Sequence, residues 1–186
     1  MKRSFQLKAA AFFVVAFMIS TASWAQMKMD AKPLASPRDS VSAKVGAATI
    51  TINYGSPSVK GRKIWGGLVP YGQVWRTGAN EATTFTTSTD IWVEGKKLPA
   101  GEYGFFAIPT AKKGWTIIFN SVAKQWGAFK YDATKDVLRV TVWTKPTTAH
   151  ERLVYTIKPT GFNLIWEKLS VPVRVTTTAR MKRSKA

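Results

Sequence analysis

The residue types best suited to recognition or chemistry are concentrated between residues 61 and 83, in the stretch GRKIWGGLVPYGQVWRTGANEAT. Flat aromatic rings can stack on a planar ligand, and the guanidinium, amide and carboxylate groups that close the stretch supply hydrogen-bond donors and acceptors. Glycines are frequent here, which favours a shaped loop over a helix or a long strand. From this pattern we predict six ligand-binding residues: Trp65, Tyr71, Trp75, Arg76, Asn80 and Glu81.

A structural role for the charged residues of this loop is the alternative. Glu81 could accept hydrogen bonds from Arg76 or from loop amides, and Arg76 could in turn do no more than anchor that carboxylate. Under this interpretation the pair fixes the loop, and neither group is reserved for a ligand. We favour it over a catalytic role for Glu81.

Few catalytic or metal-binding sets are available to this chain. It has one histidine, His150, and no cysteine, and it contains no nucleophile elbow, P-loop or dinucleotide fingerprint. Zinc would lack its usual ligands and the ten acidic residues form no calcium loop, so we predict neither a metal nor a cofactor. Hydrolysis by two carboxylates is the one mechanism left, with Glu81 as the catalytic candidate and Glu102, Asp39 or Asp90 as its partner.

We therefore expect a binding or accessory domain without catalytic activity, whose ligand is a small molecule or a glycan that meets loop 61–83. Two functions of other classes stay open. One is a hydrolase that acts through Glu81 and a second carboxylate, and the other is a structural protein of the cell envelope. Two carboxyl groups facing each other across an open cleft would favour the hydrolase.

Residues 1–25 have the features of a secretory signal peptide. Basic residues precede an apolar run over residues 9–19, and Ser23 and Ala25 stand three and one positions before the expected cleavage at Gln26. The apolar run is short for a bilayer span, and no other segment approaches that length. We expect a periplasmic or secreted protein with no transmembrane segment after cleavage.

The chain is strongly basic. Three of its 28 Lys and Arg and none of its ten Asp and Glu precede residue 26, so residues 26–186 keep 25 basic residues and a formal charge of +15. Such a field favours encounters with an anionic partner, for example an anionic component of the cell envelope. The lysines are scattered and no nucleic-acid-binding motif accompanies them, so we do not expect nucleic acid as a partner.

The elements that must position these groups are predicted to be strands. The chain is rich in Thr, Val, Ile and aromatic residues punctuated by Gly and Pro, and residues 49–54 alternate so that even positions would face a core. Roughly nine short strands predict an all-β fold, an antiparallel two-sheet β-sandwich, either plain or jelly-roll-like. We predict this domain over residues 41–178, between a flexible segment at 26–40 and a basic disordered tail at 179–186.

Two finer features concern the strands. The pattern predicts a hairpin between residues 91–94 and 102–108, joined by the turn-forming sequence GKKLPAG. In the last strand the apolar residues change from even positions over 162–166 to odd positions over 169–175, which predicts a β-bulge near Glu167 and Lys168.

The tryptophans divide into two groups by position. Four fall at apolar positions of predicted strands and should be core: Trp92, Trp115, Trp143 and Trp166. Three lie in or beside irregular segments and are the candidates for a stacking surface: Trp65, Trp75 and Trp126.

The motifs GR-IWG-LVPYG-VWRTGANEAT and LPAGEYGFFAIP also carry a resemblance. Together they resemble the bacterial domain of unknown function 2911 family, and the likeness covers about residues 36–176. The resemblance implies an exported, β-rich domain and no established activity.

Overall fold

Residues 35–112 and 114–178 are described here from a computed structural model of the chain. The predicted signal peptide at 1–25 and the predicted tail at 179–186 lie outside these residues. Ten strands make up the fold: β1 (Arg38–Val45), β2 (Ala48–Gly55), β3 (Thr83–Thr87), β4 (Ile91–Val93), β5 (Lys96–Leu98), β6 (Gly101–Ile108), β7 (Gly114–Asn120), β8 (Asp136–Trp143), β9 (Lys145–Lys158) and β10 (Gly161–Thr176). One short 3-10 helix, Ala133–Lys135, precedes β8.

The strands form two antiparallel sheets. The larger sheet has the order β1-β2-β3-β6-β7-β8, and the smaller has the order β5-β4-β10-β9. After β3 the chain crosses to the smaller sheet, forms the β4–β5 hairpin there, and returns as β6 beside β3. This arrangement confirms the predicted all-β sandwich of two antiparallel sheets.

The predicted hairpin between residues 91–94 and 102–108 is wrong. β4 pairs with β5 instead, through a two-residue turn at Glu94 and Gly95 whose φ angles are 49° and 83°. Positive φ at both central positions matches the twist of the flanking strands and closes a tight hairpin. β6 is thereby left free to pair with β3 and β7.

The main core lies between the two sheets. In β2 the predicted even positions are buried, with Ile50 and Ile52 at 0% and Tyr54 at 3% exposed. Rings from the two sheets meet directly, since the centroids of Phe85 in β3 and Phe162 in β10 lie 5.2 Å apart. Contact across the sheets shows that they share one core.

The bulge in β10 is confirmed. The register with β9 shifts on both sides of Glu167, whose φ of 53° places it in the left-handed region. Trp166 before the bulge and Val171 after it are both 1% exposed. The irregularity thus keeps two apolar runs of opposite parity on the same buried face.

β1 begins at Arg38, before the predicted start of the domain at residue 41. The strand is polar, so it carries little of the apolar alternation that marks strands in sequence. Side chains join it to β2 instead, because Tyr54 donates to Asp39 at 2.9 Å and Ser40 donates to Asn53 at 2.8 Å.

Loop 61–83 is attached to the sandwich at several points. Trp75 exchanges two backbone hydrogen bonds with Ala107 of β6, of 2.8 and 2.9 Å. Near its end, Ala79 donates to the carbonyl oxygen of Gly55. A Cβ atom at Gly55 would lie 2.2 Å from the carbonyl oxygen of Ala79, so only glycine allows the two segments to approach this closely.

Within the part of the chain that the structure describes, no helix has the length and apolar character needed to cross a bilayer.

Candidate functional site

Trp65 and Trp75 belong to a cluster of four indole rings, of which Trp65 is partly buried and the other three are buried. Trp65 packs edge-on against Trp75, Trp115 and Trp166 at centroid distances of 5.7, 4.9 and 5.8 Å. Trp75 is 8% exposed and stacks on Trp166 at 6.1 Å. The expectation of a stacking surface is therefore wrong for Trp75, which belongs to the core, whereas Trp65 is partly buried and packs against that core.

The other tryptophans also differ in part from their predicted places. Trp115 and Trp166 are buried as predicted, whereas Trp143 is 68% exposed. Val142 and Trp143 are adjacent in β8, so only one of them can face the core, and Val142 does. Trp126 is 61% exposed, as expected of a stacking residue.

Tyr71 lies at the surface of the same loop and is 41% exposed. Its ring covers Gly66, where a Cβ atom would come within 2.6 Å of it and where φ is 73°. Tyr71, Trp65 and Lys112 line a small recess of about 160 Å³. This volume is below the range typical of ligand sites, so the tyrosine serves mainly to cover the loop.

Arg76 and Glu81 do not pair with each other. Glu81 forms its ion pair with Arg38 at the start of β1. Two residues between them, Thr77 and Asn80, have φ angles of 53° and 62°. Both lie in the left-handed region of backbone conformation, which residues other than glycine rarely adopt, and they change the direction of the chain. The two charged groups consequently face different parts of the surface.

Arg76 lines a recess of about 300 Å³, which we call the arginine recess. Other lining residues that matter here are Ser36, Arg62, Ala79, Asn80 and Trp166. Arg62 donates to the backbone carbonyl of Val59 at 3.0 Å, and Asn80 donates to that of Ser36 at 3.0 Å. Burial lowers the pKa of Arg76, because a charged guanidinium is less stable away from water.

Glu81 lines a larger cleft of about 770 Å³ on the outer face of the six-stranded sheet. We call it the outer-face cleft, and the lining residues that matter here are Arg38, Asn53, Glu81, Thr84, Glu102 and Gln125. A polar row crosses its floor, since Ser40 donates to Asn53 at 2.8 Å and Asn53 donates to Thr84 at 3.3 Å.

Three of the four carboxylates considered for hydrolysis meet at this cleft: Asp39, Glu81 and Glu102. Asp39 accepts from Tyr54, whose pKa is raised to about 12 by burial first and then by this carboxylate. Asp90 lies elsewhere, where Lys97 and the amide of Ala100 lower its pKa.

The segment between β7 and β8 forms one wall of the cleft. Tyr131 anchors it to the sheet, with its ring 5.2 Å from that of Phe106, in a small apolar cluster outside the main core. Phe129, in the same segment, is 87% exposed and does not pack on the sheet. Trp126 pairs with Glu81 through a β-bridge, so its backbone lies next to that of a cleft residue, and its side chain is exposed.

No sequence pattern indicated Arg38 or Gln125, because both lie in segments without apolar periodicity. Asn53 could have been found, because it occupies an outward position of the alternating strand β2, and Thr84 is its partner on β3. Within residues 35–112 and 114–178 there is no group of three or more His, Asp and Glu arranged to hold a metal ion.

Among known families, the model described as "Protein of unknown function (DUF2911)" matches residues 36–175. None of the curated proteins or solved structures compared with the chain matches it.

Proposed function

We propose that this chain, which belongs to the family of proteins of unknown function DUF2911, is a non-catalytic binding domain that holds a glycan in the outer-face cleft. As part of this proposal the protein is exported by residues 1–25 and acts in the periplasm or outside the cell. Its excess of basic residues would favour encounters with an anionic envelope component.

The observation that carries the proposal is an unused acceptor on a residue that lines the cleft. The side-chain oxygen of Gln125 is buried and has no hydrogen-bond partner in the structure. Leaving a buried polar atom unpaired costs about 1 to 3 kcal/mol, so a ligand that donates a hydrogen bond there would recover this free energy. Sugar hydroxyl groups are donors of this kind.

The remaining cleft residues suit the same ligand. Thr84 and Asn53 add a hydroxyl and an amide to the floor, and Glu102 adds a carboxylate that accepts hydrogen bonds. Trp126 supplies an exposed flat ring beside Gln125, on which the apolar face of a sugar ring can stack. A volume of about 770 Å³ lies within the range of small-molecule sites.

A hydrolase is the second candidate, because Glu81 and Glu102 line one open cleft. The carboxylate of Glu81 is engaged by Arg38, and the hydroxyl of Tyr54 occupies an oxygen of Asp39. These contacts hold the carboxylates as structural partners, so we favour binding over cleavage. A structural role in the cell envelope is less well supported. That role would favour a pair formed by Arg76 and Glu81 with no cavity beside it, whereas the two residues are not paired and each lines a cavity.

The test is calorimetric titration of the purified protein with cellotetraose, maltotetraose and N-acetylchitotetraose. At least one should bind saturably, and Trp126→Ala should weaken it tenfold or more. Trp143→Ala is the matched control, because that indole is equally exposed but lies on β8, away from the cleft. Binding unaffected by Trp126→Ala would contradict the proposal, and release of reducing ends during the titration would favour the hydrolase.

A further inference from the structure

Two residues that line the arginine recess carry a hydrogen-bond donor without an acceptor. The Nε of Arg76 and the indole Nε1 of Trp166 are both buried and without a partner in the structure. Trp166 itself is only 1% exposed. Native proteins satisfy most buried polar atoms, so two orphaned donors on one recess call for an acceptor.

The charge of the recess is of one sign. Arg62 and Arg76 both line it, and no Asp or Glu is found among the described residues around it. Arg62 is held by the backbone carbonyls of Ser58 and Val59, which leaves its positive charge without a carboxylate. Among residues 35–112 and 114–178, the guanidinium of Arg76 takes part in no ion pair.

A partly buried charge without a counter-charge is unfavourable, and burial lowers the pKa of Arg76 for this reason. An anion placed between the two guanidinium groups would supply both the missing charge and the missing acceptors. The planar fork of arginine fits carboxylate, phosphate and sulfate oxygens. A volume of about 300 Å³, at the lower end for ligand sites, suits one such group with a small body attached.

We infer that the arginine recess is a binding site for a small oxyanion, with Arg76 as its main ligand and Arg62 and Trp166 as supporting donors. The site goes beyond the proposed glycan cleft in both position and chemistry. It is lined by Ser36 and Asn80, whereas the cleft is lined by Arg38 and Glu81.

The recess is held ready for such a ligand by rigid neighbours. Trp75 stacks on Trp166 and is bonded to β6, so the aromatic wall cannot easily close the space. Asn80 is fixed to Ser36 by its side-chain amide. Preorganised donors of this kind bind with little loss of conformational entropy.

The experiment measures thermal unfolding and calorimetric binding of the purified protein in Tris chloride, with added sodium sulfate, inorganic phosphate or glucuronate. Sulfate and phosphate test free ions, and glucuronate compared with glucose tests a carboxylate carried by a sugar. At least one anion should raise the unfolding midpoint saturably, because a ligand of the folded state stabilises it. Glucose should not.

Arg76→Gln should lower the affinity for that anion tenfold or more, and Arg62→Gln should lower it by a smaller factor. Arg174→Gln is the matched control, since it removes an equal charge from an exposed arginine of β10 that pairs with Glu94 in the β4–β5 turn. Its affinity should stay within twofold of wild type. Without added anion, Arg76→Gln should unfold at or above the wild-type midpoint, because it removes a partly buried charge that has no ion-pair partner.

Sulfate also stabilises proteins by exclusion from their surface, an effect that does not saturate and that every variant would share. An equal response of wild type and Arg76→Gln to all three anions would therefore overturn the inference. So would a clear loss of stability in Arg76→Gln before any anion is added, because it would show that Arg76 already has its partners. Arg62→Gln, at an exposed position, should fold like wild type and gives a second, independent measurement of the contribution of the recess to binding.

Discussion

The arginine recess and the outer-face cleft lie on two sides of the segments 36–38 and 79–81, and they offer opposite chemistry. Ser36 and Asn80 line the recess, where the unused groups are donors and the charge is positive. Arg38 and Glu81 line the cleft, where an acceptor is unused and three carboxylates gather. Neighbouring residues thus serve different surfaces, so proximity in sequence is poor evidence for a shared site.

The two regions also differ in the structural elements that lie behind them. The recess is backed by the cluster of four tryptophans and by β10, whereas the cleft is bordered by the segment between β7 and β8, which carries the exposed Trp126 and Phe129. We expect substitutions behind the recess to change stability, and substitutions around the cleft to change binding alone.

The largest effect is expected from deletion of Lys168. The deletion removes the residue that offsets the register of β10, so either Trp166 or the buried valines that follow would face the wrong side. We expect a loss of more than about 4 kcal/mol in the free energy of unfolding. The same change should disrupt the wall of the recess that Trp166 forms. Chemical denaturation measures it, and a midpoint equal to that of wild type would show that the bulge is not required.

A large effect is also expected from Trp65→Ala, which removes a ring packed against three others. The loss should be about 3 kcal/mol, typical of large-to-small changes in a core. Trp126→Ala should stay within about 0.5 kcal/mol of wild type, because it changes an exposed side chain. Denaturation of both variants tests the contrast, and equal losses would remove the distinction between the two regions.

A smaller effect on stability is expected from Glu81→Gln. Its ion pair with Arg38 is exposed, with 42% and 48% of the two side chains accessible, so its loss should cost less than about 1 kcal/mol. Saccharide binding in the cleft should fall more clearly, by threefold or more. Glu94→Gln, which breaks the ion pair with Arg174 outside both regions, is the control and should leave that binding unchanged.

The smallest effect is expected at Asp90, the carboxylate that lies outside both regions. The hydrogen bond from Lys97 and that from the amide of Ala100 lower its pKa below the ordinary value of 3.8. A carboxyl group with a lowered pKa stabilises the folded state above its unfolded pKa and loses this contribution as the pH falls through the folded value. The chemical denaturation midpoints of wild type and Asp90→Asn should therefore differ slightly at pH 7 and converge below about pH 4. A difference that grew on acidification would contradict the assignment.

The strands were predictable where one face is buried and the other is not. Alternation over residues 49–54 and the change of parity around Glu167 follow directly from burial, and the structure has both. β1 was harder to predict because its polar residues are held by side-chain bonds to β2 rather than by an apolar face.

The loop was predictable as a feature and unpredictable in detail. Glycine and aromatic content indicated a shaped loop, but the direction of each side chain depends on contacts far along the sequence. Trp75 is drawn inward by Ala107, and Glu81 is drawn to Arg38. No local pattern encodes partners so distant, which is why Trp65 and Trp75 were expected at the surface and Arg76 was expected to pair with Glu81.

The most direct test of two separate sites titrates three proteins, wild type, Arg76→Gln and Trp126→Ala, with two probes. One probe is whichever of sulfate, inorganic phosphate and glucuronate binds wild type most tightly. The other probe is whichever of cellotetraose, maltotetraose and N-acetylchitotetraose binds wild type most tightly. Arg76→Gln should lower the affinity for the oxyanion by tenfold or more and leave the affinity for the tetrasaccharide within twofold of wild type. Trp126→Ala should lower the affinity for the tetrasaccharide and leave that for the oxyanion unchanged. If either variant weakened both probes equally, or if neither variant weakened any, the account of two opposite surfaces would be contradicted.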